Sequence, residues 1–442
     1  MEPDQSGGSS PSPSPSSSPS PSPSPSPSSS PSSSPSSSPS PNPEQLLALL
    51  GTAEGRADPY PVYRQLRALA PVCRTGRGQV FLTGYQDCVE LVRDPAFRAQ
   101  GPDWMDRVSP GWRERPGKVA TIEAMLFRDP PDHTRLRRLV SGAFMARRLA
   151  ALRPEVERLA GQALDAIAEA GADGGTVDLQ ALLARSLPVS VIGALVGVPE
   201  ADRGLLLDSM SAMMQVVELT VDEGSLTAAD RGAEVLMGYF GELVAERRKQ
   251  PTEDLASALV AIRDEDGGLS EAELLQTLLL LFMAGVDTMV NHLVNATAAF
   301  LAHPEQADLL RADPALAPGA VEEAMRYDAP IQILARVAGE DLTINQIEVA
   351  AGSLVVGLLG AANRDPQRYP DPDRFDITRT GTASVSFGGG MHYCLGAPLA
   401  RIESAAFLPG LLTRFPGLRP AGAAVRRGMV LRGFGYFPVA LR

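Results

Sequence analysis

The stretch Ser386-Phe387-Gly388-Gly389-Gly390-Met391-His392-Tyr393-Cys394-Leu395-Gly396-Ala397-Pro398-Leu399-Ala400-Arg401 decides how the rest of the chain is read. One cysteine stands between a glycine-rich loop and the start of an apolar helix. The free amides and dipole of a helix N-terminus favour a thiolate, so the pattern predicts a lowered thiol pKa at Cys394. Gly388, Gly389, Gly390 and Gly396 have no Cβ, which lets a flat ligand approach the backbone closely. A buried structural cysteine beside a glycine turn is the plainer alternative. A zinc site is disfavoured, because the chain has no Cys-x-x-Cys pair.

The stretch resembles the haem-binding loop of the cytochrome P450 family, Phe-Gly-x-Gly-x-His-x-Cys-x-Gly. Phe387, Gly388, Gly390, His392, Cys394 and Gly396 meet its fixed positions. The resemblance implies that Cys394 is the thiolate ligand of haem iron, pushing electron density onto the metal and favouring O–O cleavage. The other five residues would then surround the cofactor, with His392 holding a propionate.

Further motifs extend the resemblance over about residues 44–442. In Asp129-Pro130-Pro131-Asp132-His133-Thr134-Arg135-Leu136-Arg137, the two prolines set a helix start, and His133 and Arg137 share one helix face. Two such donors suit a carboxylate, although a solvated basic face would read the same way. In the family, His and Arg at these positions bind haem propionates, as does the Arg matched by Arg336. Arg135 and Arg138 would then face the outer, proximal surface.

Ser270-Glu271-Ala272-Glu273 is a capping box that opens a helix to about Leu301. Leu278 to Val286 is apolar on all sides and predicts a buried central helix, too short to span a membrane. Asp287-Thr288 interrupts it. A carboxylate there needs a function or a partner. One reading has Thr288 bonded back to the Ala284 carbonyl and Asp287 in a salt bridge. The other is an oxygen-activation site, with Ala284 and Gly285 small enough for a cofactor to lie against the helix. Ala284-Gly285-Val286-Asp287-Thr288 resembles the family's (Ala/Gly)-Gly-x-(Asp/Glu)-Thr signature, which implies that Asp287 and Thr288 manage protons. Met289 departs from the second Thr of many members. Glu323-x-x-Arg326 matches a pair that supports the haem loop in the family, and Ala361 to Asp376 matches its meander.

Whole-chain properties bound these readings. The chain has 442 residues, 44% of them hydrophobic, and a net charge of −12, which argues against nucleic acid as a partner. Three cysteines, Cys73, Cys88 and Cys394, make no disulfide framework and suit a reducing cytosol. Residues 1–43 are almost wholly Ser and Pro and are expected to be a disordered tail. Phe97 to Val119 reads as an irregular loop carrying Trp104 and Trp112, and residues 145–265 read as successive amphipathic helices. Met210, Met213, Met214, Val216, Val217 and Leu219 are expected either in the core or in a lid over the access route.

The resemblance implies a mainly α fold with small β-sheets, one large domain over residues 44–442 closed around buried haem b. It is that of the soluble, actinomycete-type enzymes of secondary metabolism. Such a protein inserts one oxygen atom of O2 into a mid-sized apolar natural product, by hydroxylation, epoxidation or a related oxidation. No flavin or iron–sulfur segment is visible, so electrons from NAD(P)H are expected through a separate ferredoxin and ferredoxin reductase. Arg135, Arg138 and Arg364 are candidates for steering an acidic ferredoxin. A cytoplasmic monomer without membrane contact is expected. Oxidative coupling or cyclisation, or a non-catalytic haem-binding partner protein, are the alternatives.

Overall fold

The computed structural model describes residues 41–219, 221–266, 268–381 and 383–442. The expected Ser/Pro tail therefore lies, up to residue 40, outside the described residues. Asn42 caps the first described helix, Pro43–Leu50. Its Oδ1 accepts from Gln45 N–H, and Gln45 Oε1 accepts from Asn42 N–H, both at 2.9 Å.

The helix Glu271–Ala302, the central helix, is the element that the others pack around. Ser270 Oγ accepts from Glu273 N–H at 3.1 Å and Glu273 Oε2 accepts from Ser270 N–H at 2.8 Å, satisfying two amides that a helix start leaves free. Pro304 begins the next helix, and the turn at His303 ends this one. The helix has 32 residues, and its most apolar 18-residue window, of mean hydropathy 1.6, has the length and composition of a membrane span, twice the reach of Leu278 to Val286. Helices on its flanks, among them Leu187–Val196, Glu223–Lys249, Ala317–Tyr327 and Ala397–Arg414, cover most of it instead.

Helices dominate, and the strands form small sheets. The largest has the order Val72–Arg74, Val80–Leu82, Leu354–Leu358, Ile333–Ala338, Phe97–Arg98. Its one parallel pairing joins Val80–Leu82 to Leu354–Leu358, and its register sets Arg336 opposite Val355. The hairpin Leu342–Ile344/Ile347–Val349 turns through Asn345 and Gln346, both at positive φ. Near the C-terminus, Val425–Arg427 pairs antiparallel with Gly433–Tyr436.

The stretch expected to be irregular, Phe97 to Val119, contains the short helix Pro102–Val108 and the start of another, Pro116–Ile122. Both open on proline, which suits the first helical position. Trp112 is fully buried and donates from Nε1 to Asp106 at 2.7 Å. Of the methionine cluster, Met210 and Met213 are core residues, while Leu219 is exposed.

Glu323 and Arg326 are both wholly buried, not a surface pair. Arg326 donates to Glu323 at 2.7 and 2.8 Å, and to the carbonyls of Asn363, Pro372 and Arg374. Glu323 also accepts from Asp376 N–H at 2.9 Å. Asn363 then carries the order forward, accepting from Val385 N–H at 3.0 Å and donating to Ser386 Oγ at 2.8 Å. Ser386 Oγ in turn donates to the Met325 carbonyl at 2.7 Å. Replacing Arg326 by Lys removes the planar fork and strands those acceptors. We expect Arg326→Lys to lose on the order of 3–5 kcal/mol of stability in urea unfolding, with little folded protein at 37 °C.

Candidate active site

The cysteine loop is held by its own backbone. Cys394 N–H donates to the Phe387 carbonyl at 2.9 Å, and Gly388 N–H to the Val385 carbonyl at 2.9 Å. Gly388 and Gly390 lie at φ +67° and +58°, and a Cβ on Gly390 would stand 2.6 Å from the Val92 carbonyl. These two positions therefore require glycine. The helix Ala397–Arg414 follows and packs against the central helix.

The thiol does not behave as the sequence predicted. N–H groups of Gly396 and Ala397, with Arg137 and Arg401, do favour the thiolate, but burial outweighs them and raises the Cys394 pKa above its ordinary value. The helix start alone is too weak against desolvation. A bound metal cation would supply the missing stabilisation.

Around the loop the predicted donors converge. The His133 and His392 rings lie 4.2 Å apart between centroids. Arg137 Nη2 donates to the Tyr393 carbonyl at 2.7 Å. Burial lowers the His392 pKa to about 3, helped by Arg336, His133 and Arg137. Burial, then Arg137, lowers that of His133. Both imidazoles are thus neutral at pH 7, each with one N–H to give. His133 Nδ1 and His392 Nε2 are buried without a partner, and buried Arg336 donates from Nη1 to the adjacent Ala335 carbonyl. Such a set of donors fits the carboxylates of a haem. The Cys394 thiol and the flat glycine loop beside it fit the ring and its iron.

The central helix presents two different stripes here. Ala284 is exposed and Leu280 and Thr288 are half-buried, so this stripe borders a cleft in an otherwise buried helix. Thr288 Oγ1 donates to the Ala284 carbonyl at 2.6 Å. Gly285 is turned elsewhere: a Cβ there would stand 2.7 Å from Ile192. Its small size makes room for the helix Leu187–Val196 rather than for a cofactor. The second stripe is Asp287, Asn291 and Asn295, all buried beneath the C-terminal hairpin. Arg427 lies 3.9 Å from Asp287, whose pKa burial raises and Arg427 partly restores. Arg426 donates to Asn295 Oδ1 at 2.8 Å. Both partners of the plainer sequence reading, the Ala284 carbonyl and a cation for Asp287, are therefore present.

The three arginines assigned to a ferredoxin separate. Arg138 is exposed. Arg135 is paired with Glu273 and donates to the Gly268 carbonyl at 2.7 Å. Arg364 is buried between the rings of Tyr60 and Tyr327, at 3.5 and 3.8 Å, and donates to the Tyr327 carbonyl. It cannot steer a partner, because stacking and burial hold it inside.

Comparison with known proteins gives the family. The family model for cytochrome P450 matches residues 75–317 and 312–421. The chain belongs to the cytochrome P450 family. It is 37% identical over 400 residues to 6-deoxyerythronolide B hydroxylase of Saccharopolyspora erythraea, covering 87% of this chain and 96% of that one. It is 39% identical over 388 residues to mycinamicin IV hydroxylase/epoxidase of Micromonospora griseorubida, covering 85% and 94%. The solved structure of P450BioI with an acyl-carrier-protein-ligated fatty acid superposes with a TM-score of 0.81 at 34% identity, covering 88% and 99%. This P450 is a bacterial-type monooxygenase that uses haem and O2.

Sequence reasoning missed three buried groups: Asn291, His292 and Glu403. Both amide atoms of Asn291 and both ring nitrogens of His292 lack partners. Gly433 crosses so close that a Cβ would stand 1.9 Å from Asn291 Oδ1. Glu403, in the helix after the cysteine, has an unpartnered Oε1, and burial raises its pKa from 4.5 to about 8. The signal was there, a lone carboxylate on the apolar side of that helix. Folded Glu403 keeps a proton that the unfolded chain releases, so its contribution is full below pH 4.5 and is lost as pH rises to about 8. Urea unfolding should show Glu403→Gln matching the parent near pH 4.5 and exceeding it at pH 9. Parallel stability curves would exclude a buried protonated carboxyl.

Proposed function

We propose that this P450 hydroxylates or epoxidises a mid-sized, largely apolar natural product, such as a polyketide or terpenoid. The unpartnered donors of His133 and His392, gathered with Arg336 and Arg137 beside the Cys394 loop, carry the site assignment. These four hold the haem propionates, Cys394 ligates the iron, and Phe387, Gly388, Gly396 and Ala284 border the ring. The relatives' names, which specify hydroxylation and epoxidation, support the reaction type.

Bound haem supplies the iron at which O2 is reduced by two electrons delivered singly. The chain supplies the rest. Leu278 to Val286 offers the cleft only apolar side chains, Leu280 and Ala284 among them. Thr288 spends its proton on the Ala284 carbonyl and leaves two acceptor positions on its oxygen; rotation turns the hydroxyl to a ligand or water. Asp287, its pKa raised by burial and partly restored by Arg427, can hold a proton and pass it on, with the half-exposed Arg427 marking the side on which solvent lies. The electrons come from NAD(P)H through a reductase and a ferredoxin. Exposed Arg138, Met391 and Tyr393 beside the cysteine loop suit an acidic partner with an apolar centre. The setting is a cytoplasmic monomer, with the Ser/Pro-rich residues 1–40 outside the chemistry; the boundary expected at residue 43 moves back, because Asn42 caps the helix that Pro43 begins.

Cys394→Ala tests the ligand. The reduced, CO-bound parent should show the red-shifted Soret band of thiolate ligation, and the variant should lack it. Survival of the band in purified Cys394→Ala protein would falsify the assignment.

Thr288→Ala and Asp287→Asn test proton handling. Thr288→Ala should keep the CO spectrum and consume NAD(P)H and O2, yet release mostly peroxide. Asp287→Asn should slow turnover by about 10²–10⁴-fold, the usual contribution of a general acid. The readout is product and peroxide per NAD(P)H consumed. Unchanged coupling in Thr288→Ala would leave that residue only its helix bond.

A further inference from the structure

The C-terminal hairpin lies across the polar stripe of the central helix and puts a cation at each end of it. Arg426 Nη1 donates to Asn295 Oδ1 at 2.8 Å. Arg427 Nη2 stands 3.9 Å from Asp287 Oδ1. Between them Gly433, which pairs with Arg427 across the hairpin, crosses Asn291. Asp287 and Asn295 are a little over two turns apart, about 12 Å along the axis. Consecutive strand residues ordinarily face opposite ways. Val425–Arg427 departs from that rule. Its register shifts between Val425 and Arg426, and Gly428, at φ +71°, turns the chain directly after Arg427.

The hairpin is not free to slide. Buried Asp328, just past the helix Ala317–Tyr327, takes a bond from each side of the turn. Arg426 Nη2 donates to Oδ2 and Arg432 Nε to Oδ1, both at 2.8 Å. Tyr60 Oη adds a third bond, to Oδ1 at 2.7 Å. Burial raises the Asp328 pKa, but Arg432 and Arg426 outweigh it and hold the carboxyl below its ordinary range. Arg432 Nη2 also donates to the Ala57 carbonyl at 3.1 Å, and its backbone N–H to the Pro330 carbonyl at 2.7 Å. This clamp fixes where the strand delivers Arg427.

Asp287 has little else to hold it. Its carboxylate makes no hydrogen bond among the described residues, and an ion pair at 3.9 Å is a loose one. Two helices packed on the central helix, Leu179–Ala184 and Leu187–Val196, carry no charge. Charged groups on other elements packed there, Lys118, Glu323, Arg326 and Glu403 among them, do not act on Asp287. Nor does Arg426. Among the described residues Arg427 is the one charge that does. Thr288 lies on the neighbouring stripe, facing the cleft. Asp287 paired with Arg427 is therefore turned from Thr288, and serves the cleft only after leaving its partner.

We propose that Arg427 is a positioning residue for proton handling: the clamped hairpin holds this cation against Asp287, and the acid turns to the cleft only when the pair opens. The idea rests on the reading that Asp287 and Thr288 handle protons in this P450. Its own evidence is the clamp and the solitary pair.

The test uses the full, haem-loaded chain as parent, Arg427→Lys and Arg427→Met. Arg427 is half-exposed, so replacing it leaves the Asp328 clamp intact. Infrared titration reads the Asp287 carboxyl band, assigned by its loss in Asp287→Asn. Its midpoint should move to higher pH in Arg427→Met, which removes the one charge that lowers it, and stay in place in Arg427→Lys. The second readout is O2 consumed with NADPH, a plant-type ferredoxin and its reductase. An acid gives protons only while it holds them, so O2 consumption should fall as pH rises through the Asp287 midpoint. In Arg427→Met that fall should move up by the same interval. In the Asp287→Asn background, Arg427→Met should change O2 consumption by less than about 2-fold.

An unmoved infrared midpoint in Arg427→Met overturns the proposal, as does an equal movement in Arg427→Lys. So does a moved midpoint with an unmoved O2 profile, or a full Arg427→Met effect without Asp287. Unchanged O2 consumption in Asp287→Asn alone sinks the proton reading itself, and the infrared midpoints still report whether Arg427 governs the carboxyl.

Discussion

The buried pair of Glu323 and Arg326 holds the rest of the site in place. Removing two charges from water is costly, and their mutual attraction offsets the cost only when every remaining donor and lone pair is used. Here the backbone of residues 363–376 completes that set: three carbonyls take the remaining guanidinium protons, and Asp376 N–H adds to the carboxylate. A stretch with little regular structure is thereby given one conformation. Asn363 and Ser386 pass that order to the loop that carries Cys394. The thiol is placed by an interaction on another helix, not by its glycine loop alone.

The central helix meets the opposite requirement. It must be apolar enough to be enclosed, yet offer polar groups at one level. It does so by confining them to adjacent stripes. Ala284 and Thr288 face the cleft, and Asp287, Asn291 and Asn295 face the C-terminal hairpin. Asn295 is satisfied by Arg426 and by the carbonyls of Asp328 and Arg432. Asn291 keeps an unpaired amide, a cost of about 1–3 kcal/mol for each buried unsatisfied group unless water reaches it.

What was legible in the sequence was local. The cysteine loop could be read because its glycines are imposed by backbone conformation and close approach, as at Gly390 against Val92. The capping box at Ser270 is similarly a matter of adjacent residues. Contacts between distant segments were not legible. Arg364 reads as a surface charge in Asn363-Arg364-Asp365-Pro366, and only the meeting of Tyr60 and Tyr327 buries it. Gly285 reads as room for a cofactor until Ile192 of another helix is seen beside it. The Cys394 thiol failed for a related reason: a helix start can be seen in sequence, but the depth of burial cannot. Proline was misjudged at Pro102 and Pro116, where it opens helices in a stretch read as irregular.

The close crossing of Gly433 over Asn291 has a consequence for descent. Any side chain at 433 collides with the amide, and a smaller residue at 291 leaves a gap beneath the strand. Neither position can drift alone without loss, so the two are expected to change together or not at all. Homologues with different residues there must have crossed a less stable intermediate, or have moved the hairpin first. Across a broad set of relatives, positions 291 and 433 should covary although 142 residues apart in the chain, leaving a record of where this strand lies on the helix.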